Sequence, residues 1–335
     1  MALSIPLPWL LGSLCATAAS SILLKKKLDT AAGWRNLATA VIGVMLGESF
    51  TPEVLRAAIT WWPSLTIMMI ISLIFFWLSY AVTRFLSDAD HNTNVLSSLP
   101  GGIALATAMS ADFNADGKRV ALAHFLRVTA VLFLAPVILA WNAVPVVPTS
   151  LPAASMTISG VELAILGAVT LVAFFLGGRA NIPSGYLVIA LVLSGFLHSY
   201  GVIVGKAPNF IAITAQVILG TSIGVRFGKY SISELVKDVW LSALIGLLLV
   251  VTTTVMAYAT SKMLGIPFPT LFMAFLPGGI PEMGMLALTL DIDPAMVVSH
   301  HLARIVILLL LVQFMLRKKR MTPPQQQQQQ QAKGG

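Results

Sequence analysis

A histidine stands three residues before an arginine at two places in the chain, and this spacing puts both side chains on one face of a helix. The pairs are His124 with Arg127 and His301 with Arg304, and His300 directly precedes the second pair. A guanidinium group binds carboxylates, and an imidazole titrates near neutral pH and can relay protons. Both pairs are therefore candidates for binding an anion and moving a proton. The structural alternative is that each arginine binds backbone carbonyl groups and holds a neighbouring segment in place.

Glu282 lies within the run Pro281-Glu282-Met283, directly after a helix-breaking Pro-Gly-Gly sequence. A carboxylate among apolar residues is costly and is a candidate for a functional site. It can carry a proton or bind a cation. It also fits a capping role at the amino-terminal end of a half-helix, and the two roles are compatible.

The sequence Leu-Pro-Gly-Gly-Ile occurs twice, at 99–103 and 276–280. Proline removes a backbone donor and two glycines permit a tight turn, so each copy predicts an interrupted helix. The amino-terminal end of a half-helix presents free N–H groups that suit an anion. The alternative is a kink that only serves packing. The candidate binding residues of the two motifs are Pro100, Gly101, Gly102, Pro277, Gly278 and Gly279.

The amino-acid composition indicates that these motifs lie in a membrane protein. Of 335 residues, 57% are hydrophobic and only 10% are charged, whereas soluble domains carry about 25% charged residues. We therefore expect an all-α polytopic membrane protein whose partner is the lipid bilayer. The net charge of +8 does not indicate nucleic-acid binding, because the basic residues lie at the ends of apolar segments.

Apolar runs of spanning length position the motifs. Nine are continuous and two are interrupted by Pro-Gly-Gly, and short amphipathic pieces occupy 52–59 and 231–240. The continuous runs are 5–24, 34–50, 60–86, 118–141, 157–178, 183–201, 209–227, 241–263 and 294–316, and the interrupted ones are 92–111 and 269–290. Arg127 lies nine residues after Lys118, or about 13 Å along a helix, which is close to mid-membrane.

The chain matches itself when it is shifted by 177 positions, so that Leu99 meets Leu276 and Arg127 meets Arg304. We interpret this as a duplicated five-segment unit whose fourth segment is interrupted. The predicted units are a first repeat at 1–141, a linker with a connecting helix at 142–180, a second repeat at 181–320 and a disordered glutamine-rich tail at 321–335.

The distribution of Lys and Arg between the two sides of the membrane discriminates among three topologies. If the interrupted segments are re-entrant, nine helices span, the repeats are inverted, and only Arg56, Lys206 and Lys262 lie outside. Eleven spans would place seven Lys and Arg residues outside, and a ten-span model would place nine on each side. The counts omit Arg127, Arg304 and Lys333. We favour the inverted repeat, with a cytoplasmic carboxyl terminus.

The duplicated Leu-Pro-Gly-Gly-Ile, followed by aspartate and His-x-x-Arg, resembles the membrane AbrB duplication family. The resemblance covers roughly 5–316 and is most specific over 276–304, LPGGIPEMGMLALTLDIDPAMVVSHHLAR, whereas the first copy lacks the glutamate. Members carry the labels transcriptional regulator or ammonia monooxygenase. The resemblance implies the bacterial inner membrane. More loosely, the interrupted repeats resemble bile-acid symporter and sodium/proton antiporter folds.

These observations predict a proton- or cation-coupled secondary transporter of small organic anions. The alternatives are a membrane-embedded regulator of gene expression and, ranked lower, a membrane monooxygenase. The sequence shows no metal-ligand set and no catalytic motif, so we expect no cofactor, no metal site, no enzymatic activity and no direct binding of nucleic acid. Assembly into a homo-oligomer is compatible with the sequence.

Overall fold

The computed structural model describes residues 7–23, 30–101, 103–141, 158–180, 182 and 184–316. Over these ranges the chain forms α-helices and two short 3-10 turns, and no strand. The all-helical class is therefore confirmed. The tail 321–335, most of the linker before residue 158 and Gly102 lie outside the described residues.

The described ranges contain fourteen α-helices. In chain order they are α1 (Pro8–Leu23), α2 (Ala32–Gly47), α3 (Pro52–Ala58), α4 (Trp62–Leu86), α5 (His91–Ser97), α6 (Ile103–Asp112), α7 (Gly117–Trp141), α8 (Gly160–Gly177), α9 (Gly185–Ser199), α10 (Asn209–Gly224), α11 (Ile232–Leu264), α12 (Phe268–Phe275), α13 (Ile280–Thr289) and α14 (Pro294–Leu316).

Five helical stretches are long and apolar enough to cross a membrane, which indicates a multi-pass membrane protein. They are Pro52–Leu86, Gly117–Ala140, Gly160–Gly177, Asn209–Lys229 and Ile232–Leu264. Shorter apolar helices cover Pro8–Leu23, Gly185–Ser199 and Pro294–Leu308. Large apolar side chains such as Trp77 and Phe175 are exposed on the outer faces of these helices, as expected for contact with lipid.

The predicted amphipathic piece at 231–240 is not a separate element. It continues without a break into the apolar run that follows, as the single helix α11. The helix begins at a capping box in which Ser231 and Glu234 bind each other's backbone N–H groups, and no Pro or Gly interrupts the junction. The piece at 52–59, in contrast, forms α3 and joins α4 through a 3-10 turn at Ile59–Trp61.

Glycines let α2 pack directly against α9. A Cβ added at Gly43 would collide with the carbonyl oxygen of Leu187, and one at Gly47 would lie 2.5 Å from the Cβ of Ser194. The Ser194 hydroxyl donates a hydrogen bond to the carbonyl of Val44 at 2.8 Å. Because contact positions increase together along both helices, α2 and α9 run parallel.

The equivalent glycines of the second half bring α10 against α1 in the same way. Gly220 packs against Leu10 and Ser13, and Gly224 packs against Leu14 and Thr17. These contacts also advance together, so α1 and α10 are parallel. A third parallel pair is α7 with α11, because Lys118 bonds Glu234 at 2.6 Å and a Cβ at Gly246 would lie 3.1 Å from the Cβ of Ala130.

The first interrupted segment folds back on itself. Near the start of α5, Asn92 donates a side-chain hydrogen bond to the Phe113 carbonyl at 2.7 Å, and the Thr93 hydroxyl accepts one from the Asp116 N–H at 2.9 Å. Arg119, at the start of α7, forms an ion pair with Asp88. The two ends of this segment therefore lie side by side, as in a helical hairpin.

We predict that Gly43→Ala lowers the stability of the detergent-solubilised protein by about 1–3 kcal/mol, because the methyl group meets a backbone carbonyl that cannot move aside. Gly12→Ala is the matched control, since nothing lies within 4 Å of its added Cβ. The midpoint of thermal or chemical unfolding measures both. Equal midpoints for the two variants would show that the α2–α9 contact is not this close.

Candidate functional site

Each Pro-Gly-Gly motif separates two half-helices through the same turn. The N–H of Gly101 bonds the carbonyl of Leu99 at 2.9 Å, and the N–H of Gly278 bonds that of Leu276 at 3.0 Å. These three-residue turns are centred on the prolines, and Gly101 has a φ of +116°, which favours glycine. The turns leave the last carbonyls of α5 and α12 without helical partners.

Arg304 of α14 binds those carbonyls at the end of α12. Its Nη1 donates to Leu276 O at 2.8 Å, and its Nη2 donates to Ala274 O at 2.8 Å and to Phe275 O at 2.9 Å. The side chain is 2% exposed. A positive charge at a helix carboxyl terminus also complements the helix dipole. Arg304 therefore caps α12.

Arg127 of α7 does the same for α5. Its terminal nitrogens donate to the carbonyls of Ser97, at 3.1 Å, and Leu99. Arg127 Nη2 also donates to His124 Nδ1 at 2.8 Å, while His124 Nε2 lies 2.9 Å from Leu96 O. Because arginine only donates and a carbonyl only accepts, His124 is held as the neutral tautomer with its proton on Nε2.

The terminal nitrogens of both arginines thus bind backbone carbonyls of a neighbouring segment, which is the structural role considered from the sequence. A further donor of each guanidinium, Nε, is buried, and in the described chain neither Arg127 Nε nor Arg304 Nε has a hydrogen-bond partner. These two buried donors are available to an anion. No salt bridge of the described chain contains either arginine.

His301 and His300 have separate surroundings despite being neighbours. His301 Nε2 lies 3.0 Å from Met273 O, which is the position equivalent to the His124 contact with Leu96. His300 Nδ1 lies 2.8 Å from Met296 O, and its Nε2 lies 3.0 Å from the Ser64 hydroxyl of α4. The structure therefore joins His301 to the interrupted segment and His300 to another helix.

Glu282 stands at the third position of α13, with Gly279 as the residue that precedes the helix. Its side chain is 8% exposed and its carboxylate lies directly over Gly279, where an added Cβ would collide with it. In the part of the chain that the structure describes, the carboxylate makes no hydrogen bond and no ion pair. Arg226 interacts electrostatically with Glu282 and is itself repelled by Arg35.

Arg226 was not among the residues expected from the sequence. It lies in the 3-10 turn Val225–Lys229 that follows α10 and is only partly exposed. The available signal was a basic residue placed inside the end of an apolar run. Such a residue is typical of the cytoplasmic end of a spanning helix, and the sequence alone does not bring it near Glu282.

The candidate residues form two groups instead of one. His124 and Arg127 gather around the first motif, and His301, Arg304 and Glu282 gather around the second. In the described ranges no hydrogen bond or ion pair links the two groups. Both motifs nevertheless lie next to α14, since a Cβ added at Gly101 would lie 3.9 Å from the Leu308 side chain. No group of three or more potential metal ligands occurs among the described residues.

One carboxylate near the first group lies outside the spanning segments. Asp90 precedes α5 and accepts hydrogen bonds from both the hydroxyl and the N–H of Thr93. Partial burial favours a higher pKa, but these hydrogen bonds outweigh it and lower the pKa of Asp90 below its ordinary value. Asp90 thus caps α5, and Asp116 and Asp293 accept the corresponding backbone hydrogen bonds at the start of the helices after the two segments.

We predict that Arg304→Leu destabilises the protein by about 3 kcal/mol or more, because the buried carbonyls of Ala274 and Phe275 lose the guanidinium donor and that of Leu276 keeps only the Gly278 N–H. Arg179→Leu is the control: that arginine also binds a helix carbonyl, Phe175 O at 3.0 Å, but it is exposed, so its loss should cost about 0.5 kcal/mol or less. Chemical unfolding in detergent, followed by circular dichroism, measures both. Similar losses would argue against the capping role of Arg304.

Comparison with known proteins agrees with this architecture. The model of the family described as "Transition state regulatory protein AbrB" matches residues 9–319. The chain is 27% identical over 276 residues to "Putative regulator AbrB" of Escherichia coli (strain K12), covering 80% of this chain and 77% of that protein. It is 26% identical over 294 residues to "Uncharacterized protein YhjN" of Bacillus subtilis (strain 168), covering 81% and 75%. No solved structure matches. Because the family model covers nearly the whole chain, this protein belongs to the AbrB family.

Proposed function

We propose that the protein is a secondary transporter that moves small organic anions together with protons. The observation that carries the proposal is the Glu282 carboxylate, which is buried at the amino-terminal end of α13 with no hydrogen-bond or ion-pair partner in the described chain. A carboxylate in this position is costly unless it exchanges protons or binds a cation. Interrupted helices are also where secondary transporters bind their substrates.

The packing directions support an inverted repeat with nine spanning helices. In that topology α1 and α10, α2 and α9, and α7 and α11 each cross the membrane in the same direction, which agrees with their parallel contacts. Eleven spans would make the first two pairs antiparallel, and ten spans would make the third antiparallel. The hairpin formed by α5 and α6 supports a re-entrant first segment.

The position of Glu282 suggests how coupling would work. An ionised carboxylate occupies the positive end of α13 and the field of Arg226, so it competes with any anionic substrate for both. Protonation of Glu282 removes this competition, so that the substrate alone interacts with the positive end of the helix and its N–H groups. The proton and the anion therefore bind together, which is the requirement for symport. A bound cation would neutralise Glu282 in the same way.

We expect Glu282→Gln to abolish proton-coupled uptake, because glutamine cannot bind a proton. The purified protein is reconstituted in vesicles loaded with a pH-sensitive dye, and small mono- and dicarboxylates are tested under an imposed proton gradient. Wild type should acidify the vesicle lumen with solute uptake, whereas the variant should lose at least about tenfold of this signal. Glu53→Gln is the control, since that carboxylate is 73% exposed.

Two outcomes would contradict the proposal. If Glu282→Gln retains the wild-type stoichiometry of protons to solute, Glu282 does not couple transport. If wild type behaves like empty vesicles with every carboxylate and with both proton and sodium gradients, the protein is not a transporter of this class.

The names of the relatives favour a second candidate, a membrane-embedded regulator of gene expression. Such a protein needs a cytoplasmic surface that transmits its state, and the glutamine-rich tail is the segment available for it. Deletion of 321–335 with parallel measurement of vesicle uptake and of cellular transcripts separates the two. We expect uptake and transcript levels to remain unchanged; altered transcripts with intact uptake would favour regulation.

A further inference from the structure

A pocket with polar and charged side chains in its wall lies between α4, α5, α7 and α11. The inner pocket has a volume of about 30 Å³, and a wider vestibule of about 260 Å³ adjoins it. The two share a rim of four residues, Ser87, Arg119, Asp238 and Leu241. A buried site needs about 10–15 Å³ to hold one water molecule, so the inner pocket has room for two waters or one small ion.

Arg127 forms part of the wall of the inner pocket and supplies its charge. The side chain is 2% exposed, and its Nε has no hydrogen-bond partner in the described chain. The terminal nitrogens are already bound to two carbonyls and His124, and no carboxylate pairs with the guanidinium. A buried charge without a counter-ion is unfavourable, so this pocket favours an anion over water.

Apart from Arg127, the charged residues of the inner wall are Arg119 and Asp238, which also line the vestibule. Thr83, Asn94 and Ser97 line the inner wall together with Ser242 of α11, and the Ser97 side chain makes no hydrogen bond in the described chain. A hydroxyl and an Nε–H group are both able to donate to an anion. Arg119 is paired with Asp88, which lines the vestibule, so Asp238 is the carboxylate that lines the inner pocket itself. Its negative charge favours a singly charged anion over a multiply charged one.

The equivalent region of the second half differs at a position that lines this pocket. The position equivalent to Ala123, 177 residues later, is His300, whose ring fills the corresponding space between α4 and α14. The ring centroid of His300 lies 6.5 Å from that of Trp61, which is the equivalent of Asp238, and 6.3 Å from that of Phe275. Alanine at 123 therefore leaves open, beside Arg127, a space that histidine closes beside Arg304.

We propose that this pocket binds a monovalent inorganic anion of halide size, with Arg127 Nε and the Ser97 hydroxyl as donors. The anion neutralises the guanidinium that caps α5, and it does so independently of Glu282 and of transport. The bound anion stabilises the folded protein, because a ligand that binds only the folded state raises the unfolding midpoint.

The test compares the melting temperature Tm of the full-length, detergent-purified protein in sodium chloride, sodium bromide and sodium gluconate at constant ionic strength. We expect chloride and bromide to raise Tm saturably, by about 2 °C or more, relative to gluconate. Ala123→His should remove this rise in Tm, because the imidazole ring would fill the pocket, as His300 fills the equivalent space in the second half. Ser97→Ala, a smaller change, should weaken the apparent affinity for chloride about tenfold.

Arg56→Gln is the matched control, because it removes an exposed positive charge outside the pocket and should keep the full chloride shift. Equal Tm values of wild type in all three salts would mean that the pocket holds only water and would overturn the proposal. The proposal would also be overturned if the chloride-dependent rise in Tm were unchanged in both Ser97→Ala and a folded Ala123→His protein. The anion would then bind elsewhere. If Ala123→His does not fold, Ser97→Ala decides the outcome alone.

Discussion

The structure depends on how the backbone carbonyls at the end of an interrupted helix find hydrogen-bond donors in an apolar environment. A helix that stops inside a bilayer leaves carbonyls that no water can reach, and each one costs free energy unless a donor is supplied. Arg127 and Arg304 supply those donors to α5 and α12, and each makes its contacts from the helix that follows its interrupted segment. The arginines therefore determine where α7 and α14 stand relative to the breaks. They also leave the amino-terminal ends of the other half-helices free for ligands.

Close helix contacts hold this arrangement together. The first helix of each half packs on the second helix of the other half, through Gly220 and Gly224 in one pair and Gly43 and Gly47 in the other. Since apolar side chains gain nothing from leaving lipid for protein, such small-residue contacts stabilise membrane helices through van der Waals packing. The two halves are thus bound to each other by direct backbone approach, while α4, α7, α11 and α14 carry the side chains that surround the motifs.

Similar sequences in the two halves give different chemistry because a few positions differ. Glu282 corresponds to Leu105, so only the second half has a carboxylate at the start of its half-helix. His300 corresponds to Ala123, so an imidazole ring stands near Arg304 where a methyl group stands near Arg127. A shared scaffold thus carries unlike side chains at equivalent positions.

The sequence by itself determined the all-helical membrane class, the two breaks and the residues around them, because periodicity, apolar length and Pro-Gly-Gly are local properties. The aspartate caps Asp116 and Asp293 were predictable for the same reason. The nearness of Arg226 to Glu282, the absence of a partner on each arginine Nε, and the merging of 231–240 into α11 were not. Those depend on which helix faces which, and on the last few ångströms of side-chain packing. Only the tertiary structure fixes such distances, because they join residues far apart in the chain.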